Sequence, residues 1–97
     1  SIHGSKLYVG TTGPDFEKAG FGEIDLTSFS QLNRFVSWDL SGWTEATKAD
    51  FDDKYAYVAC WSKDGNIVKI NLNTFEVEAI WAASSGEWIW LYGCILM

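Results

Sequence analysis

Tyr55-Ala56-Tyr57-Val58-Ala59-Cys60 and, after a short break, Asn66-Ile67-Val68-Lys69-Ile70-Asn71-Leu72 decide the fold of this chain. The first run is short, apolar and built of residues that suit a pleated surface. In the second, Val68, Ile70 and Leu72 alternate with Lys69 and Asn71, the two-residue period of a half-buried strand. Asp64-Gly65 stands between the runs, a dipeptide whose tolerance of positive φ suits a tight hairpin turn. Asn73-Thr74 offers a second turn through side-chain hydrogen bonds to the backbone. Phe75-Glu76-Val77-Glu78-Ala79 then alternates again, and upstream Thr44 to Phe51 leads into the polar turn Asp52-Asp53-Lys54. Helical spacing fits poorly, because the apolar positions step by two and Gly, Asn or Asp interrupt every candidate helix.

Working outward, the same elements occur twice. Tyr8-Val9 returns as Tyr57-Val58, 49 residues on, and Ile24-Asp25-Leu26-Thr27-Ser28-Phe29 returns as Ile70-Asn71-Leu72-Asn73-Thr74-Phe75, 46 residues on. Trp38 and Ser41-Gly42 are read as returning in Trp81 and Ser85-Gly86. Order is kept while spacing drifts, as happens when loops vary and strands do not. Four short hairpin-linked strands in roughly 45 residues is the pattern of a propeller blade. The predicted fold is therefore all-β, about two four-stranded antiparallel blades of a β-propeller forming an incomplete ring. Residues 1–43 are read as a first blade with a partial first strand, 44–87 as a second, and 88–97 as the first strand of an unfinished third. Blades cover one another's faces, and a ring takes roughly four to eight of them. Two blades leave apolar flanks open, so the expected partners are other blades of a longer parent or further copies of the chain.

Composition narrows the function. Hydrophobic residues make up 47% and aromatic residues 16% of the 97, far too apolar for a disordered chain. Thirteen acidic against seven basic residues give a net charge of −6. That balance excludes a protein that neutralises nucleic-acid phosphates, and it disfavours attraction to anionic lipid. The most apolar run, Trp88 to Met97, has ten residues, about half of what a spanning helix needs. Neither nucleic acid nor membrane is an expected partner. Starting at Ser1 without a charged-then-apolar leader, the chain reads as a mature, processed or excerpted piece.

No reactive constellation emerges. One His and two distant Cys lack zinc-ligand spacing. Cys60 and Cys94 admit one disulfide, although each reads first as a small buried hydrophobe. Asp50, Asp52 and Asp53 lack the ligand ladder of a calcium loop and read as a solvated turn. His3 has no acid or nucleophile partner in sequence, Ser84-Ser85-Gly86 is no nucleophile elbow, and Gly13, Gly20 and Gly22 lack the strand-to-helix context of a phosphate cradle. The expectation is a non-enzyme without cofactor. Of the six Trp, Trp38 and Trp81 are expected to pack between blades. Trp43 and Trp61, the latter read as a loop residue, are the candidates for contact with a ligand or partner such as a glycan. Asn33, Arg34 and Lys63 read as solubilising strand edges.

Tyr8-Val9-Gly10-Thr11-Thr12, Gly22 to Phe29, and Tyr55 to Val58 followed by Gly65 to Phe75 together resemble a known repeat. It runs loosely Y-x-Y-[FV]-G-T…P-G-x-V-V-K-[IV]-D-L-x-[ST]-F and builds YVTN-type β-propellers. The chain is also similar to the repeat arrays of secreted mastigoneme-like (flagellar hair) proteins of stramenopiles. Ala59-Cys60-Trp61 departs from the Gly-Thr step, and Gly22-Glu23 departs from Val-Val-Lys. The resemblance implies a secreted or cell-surface, non-enzymatic, ring-forming scaffold, within a filament of many copies. Two other readings stand beside it: a carbohydrate-binding propeller, and an excerpt of a propeller enzyme whose axial site draws on Glu45 and Thr47.

Overall fold

The alternating runs become strands in a computed structural model that describes residues 2–12, 18–29, 32–39, 44–62 and 65–82. In chain order these are β1 (Ile2–His3), β2 (Lys6–Thr12), β3 (Lys18–Asp25), β4 (Leu32–Asp39), β5 (Thr44–Phe51), β6 (Tyr55–Ser62), β7 (Asn66–Asn71) and β8 (Glu76–Ala82). They form two four-stranded sheets in the orders β1-β2-β3-β4 and β5-β6-β7-β8. Every pairing is antiparallel. The described residues are thus all-β, two four-stranded antiparallel sheets consistent with propeller-like blades, and among them no closed ring is formed. The strand expected over 88–97 lies outside the described residues.

Local chemistry sets the turns. Gly65 has φ of 66°, the conformation a Gly tolerates without a Cβ clash and the one the β6–β7 hairpin needs. Asp52 Oδ1 accepts the backbone N–H groups of Lys54 and Tyr55 at 2.8 and 2.7 Å, so the polar turn after β5 is closed by a carboxylate. The β7–β8 turn is closed by Asn71 rather than Asn73: its Oδ1 accepts the N–H groups of Asn73 at 2.8 Å and Thr74 at 3.2 Å. Asn71, the last residue of β7, precedes both donors by two and three positions, the spacing at which an Asn side chain closes such a turn, whereas Asn73 is itself one of the donors.

The pairing registers align the two sheets residue for residue. Tyr8 opposes Glu23 in the first sheet and Tyr57 opposes Lys69 in the second. A register shift follows at Glu23/Ile24 and, at the matching place, at Lys69/Ile70. Beyond the shift, Val36 faces Phe21 and Trp81 faces Ile67, so Trp81 takes the place of Val36. The expected Trp38–Trp81 equivalence is two residues out, because matching one Trp to the other overrides the register, in which Val36 and Trp81 hold the same place.

The core lies between the sheets. Tyr8, Phe21 and Trp38, on one face of the first sheet, join Ala46, Ala56, Val58, Cys60, Val68, Ile70 and Phe75 of the second in one buried cluster, with Phe51 packed against it. Tyr8 stacks on Phe21 at 5.4 Å between ring centroids and lies 4.9 Å from Phe51. Such ring pairs add about 0.5–1.5 kcal/mol beyond the area they bury. Gly10 on β2 lets β5 come close: a Cβ there would stand 2.7 Å from the Ala46 carbonyl oxygen.

Candidate interaction surface

A buried carboxylate organises the contact between the sheets. Glu23 is 2% exposed, which is costly for a charge unless every oxygen finds donors. Tyr8 donates its hydroxyl at 2.9 Å, Asn33 its Nδ2 at 2.7 Å, and Arg34 its guanidinium at 2.6 and 3.2 Å. Burial pushes the Glu23 carboxyl up, but the Arg34, Asn33 and Tyr8 hydrogen bonds outweigh it and hold the group below its ordinary value. Burial and the bond to Glu23 push the Tyr8 phenol up to about 12. Arg34 then reaches across: it donates to the Asn73 carbonyl at 3.2 Å and lies 4.6 Å from the centroid of Phe75. Arg34 and Asn33 are therefore inter-sheet and carboxylate ligands rather than solubilising edge residues. The one sequence signal was the two-residue step from Phe21 to Glu23, which places an acid on the apolar face.

Phe75 is held in an uncommon backbone conformation. It has φ of 58°, and Phe29, at the matching place in the first sheet, has φ of 44°. Each closes its turn by donating its N–H, Phe75 to the Asn71 carbonyl at 2.7 Å and Phe29 to the Asp25 carbonyl at 2.8 Å. Left-handed backbone at a bulky residue costs about 1–3 kcal/mol and persists where surroundings hold it. Around Phe75 those surroundings are visible: it is 6% exposed, with Tyr8 at 6.5 Å and Phe21 at 6.1 Å. Phe29 is 63% exposed.

The same contrast runs through that whole face. Ile2 matches Phe51 and Leu26 matches Leu72, yet Ile2 and Leu26 are exposed while Phe51 and Leu72 pack against the core. Phe35 is exposed as well, lying over Gly20 on this outward side. The first sheet therefore presents, uncovered, the counterparts of residues that the second sheet buries.

On the far side, the second sheet turns Tyr55, Tyr57, Ile67, Lys69 and Trp81 outward, in the places that Lys6, Tyr8, Phe21, Glu23 and Val36 hold on the covered face of the first. Trp81 is 57% exposed. The Lys69 ammonium lies 4.1 Å from the Tyr55 ring centroid and 5.9 Å from that of Tyr57. Tyr57 donates its hydroxyl to Asp52 Oδ2 at 3.0 Å. Desolvation and this bond push its phenol up.

Of the residues singled out in sequence, Cys60 is fully buried on β6, while Cys94 and Trp43 lie outside the described residues. Trp61 belongs to strand β6, opposite Glu45, and not to a loop; the side chains of Trp61, Glu45 and Thr47 lie outside what is described. Trp38 is buried as expected and Trp81 is not. His3 stacks on Phe51 at 4.6 Å. Among the described residues no three His, Cys, Asp or Glu side chains are grouped to hold a metal ion. The chain matches no protein-family model, no curated protein and no solved structure.

Proposed function

We propose that the chain is a non-enzymatic interaction module, a pair of propeller-type blades that serves as a scaffold unit by packing against further blades. One observation carries this reading: the outward faces hold the register places of the two faces that meet inside the molecule, with Lys69 and Ala79 standing where Glu23 and Arg34 do. The polar groups that do converge, Tyr8, Glu23, Asn33 and Arg34, bind one another and hold the sheets together, which suits a structural role. The resemblance to YVTN-type and mastigoneme-like repeats supports a secreted or cell-surface setting and an extended assembly.

Size-exclusion chromatography with light scattering tests the proposal. The expected outcome is a mass that rises with concentration above that of a single chain. A strictly monomeric species with one cooperative unfolding transition sinks it.

A further inference from the structure

The two sheets differ at the end where their turns lie side by side. In the first, Lys6 and Asp25 face each other across the β2–β3 register and form an ion pair at 2.6 Å. Asp25 spends its other oxygen, Oδ1, on the Thr27 N–H at 2.8 Å. Tyr55 and Asn71 hold the same places in the second sheet. Asn71 Oδ1 repeats the turn contact, accepting the Asn73 and Thr74 N–H groups, so Nδ2 falls where Asp25 Oδ2 meets its cation. The backbone around the two places is alike: Leu72 donates to the Lys54 carbonyl at 2.9 Å, as Leu26 does to that of Ser5 at 3.0 Å. Where the first sheet sets an ion pair, the second has a cleft of about 410 Å³ lined by Asp53, Lys54, Tyr55, Asn71, Leu72 and Asn73. All six are among the described residues. The Lys69 ammonium, 4.1 Å from the Tyr55 ring centroid, and the Tyr57 ring, edge-on at 6.3 Å, flank the phenol and fix it in place.

We propose that this cleft binds a sugar unit of a glycan, a function separate from the assembly reading above. The lining points to that class in three ways. Asp53 and Lys54 are opposite in charge, which suits a neutral ligand. The Tyr55 ring and Leu72 supply an apolar wall against which the C–H face of a sugar ring packs. Beside that wall stand polar groups of both senses: Asn71 Nδ2 donates, the Asp53 carboxylate accepts, and the Tyr55 hydroxyl and Asn73 amide do both. Among the described residues none of these four groups has a hydrogen-bond partner already. Neighbouring sugar hydroxyls, each at once donor and acceptor, match such a set. A peptide is held instead by the backbone of an edge strand, and the strands that line the cleft, β6 and β7, are the inner two of their sheet.

Saturation-transfer NMR on the full chain tests the cleft, with methyl glycosides of glucose, galactose, mannose and N-acetylglucosamine as probes. At least one glycoside is expected to bind, with a dissociation constant in the millimolar range. Tyr55→Lys combined with Asn71→Asp rebuilds the first sheet's ion pair in the second and is expected to weaken that binding about tenfold or more. Asp53→Ala and Asn73→Ala each remove a side chain that bonds nothing in the fold, and each is expected to weaken it severalfold. These two decide the matter if far-UV circular dichroism finds the double variant unfolded. No signal from any glycoside overturns the proposal. Binding that every variant retains places the sugar elsewhere, as at Trp43 or Trp61, and overturns it as well. Trialanine binding as strongly as the best glycoside, and lost in the same variants, assigns the cleft to peptide and overturns the sugar. The scaffold reading stands or falls on its own test.

Discussion

Glu23 shows how a single side chain ties two sheets together. Its carboxylate is buried, and the Arg34 guanidinium that neutralises it also grips the Asn73 carbonyl and the Phe75 ring. Glu23→Gln keeps the shape but removes the charge facing Arg34. We expect a loss of about 1.5–3 kcal/mol, read as a lower urea midpoint with an unchanged slope. Because the folded carboxyl titrates below its ordinary value of 4.5, its contribution is complete above that pH and fades as pH falls through the lower folded value. The Tyr8 phenol behaves in the opposite sense. Raised from 10.0 to about 12, it contributes below pH 10 and fades as pH climbs toward 12. Stability against pH is therefore expected to fall at both ends, and Glu23→Gln to flatten the acid limb. The acid on the apolar phase of β3 was visible in sequence. Its partners were not, since Asn33 and Arg34 meet it only through the β3–β4 register.

At the scale of elements, the hairpins were legible because turn chemistry is local. Gly65, the Asp52 turn and the alternation of β7 all follow from residues within a few positions of one another. What alternation does not encode is a bulge. The shifts at Glu23/Ile24 and Lys69/Ile70 fall at matching places, whereas Trp38 and Trp81 part company because one lies on the face between the sheets and the other on the outward face. Turn strength is testable in the same element. Asn71→Ala removes an acceptor shared by two backbone N–H groups and should cost about 1 kcal/mol. Amide hydrogen exchange should quicken first at Asn73 and Thr74, ahead of the β6–β7 ladder.

Over the whole molecule, the sheets meet most closely where a side chain is missing. A methyl at Gly10 would stand 2.7 Å from the Ala46 carbonyl oxygen and 3.0 Å from its Cβ. The neighbour is backbone, which yields reluctantly, so Gly10→Ala is expected to cost about 1–3 kcal/mol. Thermal unfolding monitored by Tyr and Trp fluorescence measures it. That two sheets would form was readable from the duplicated strands. How they stack was not, because alternation along a strand does not say which sheet its apolar face will meet.

The unlike ends of the pair carry a final consequence. Any row of such pairs joined in the way the two sheets meet here would have a direction, like an arrow, because the faces that meet are of unlike kind.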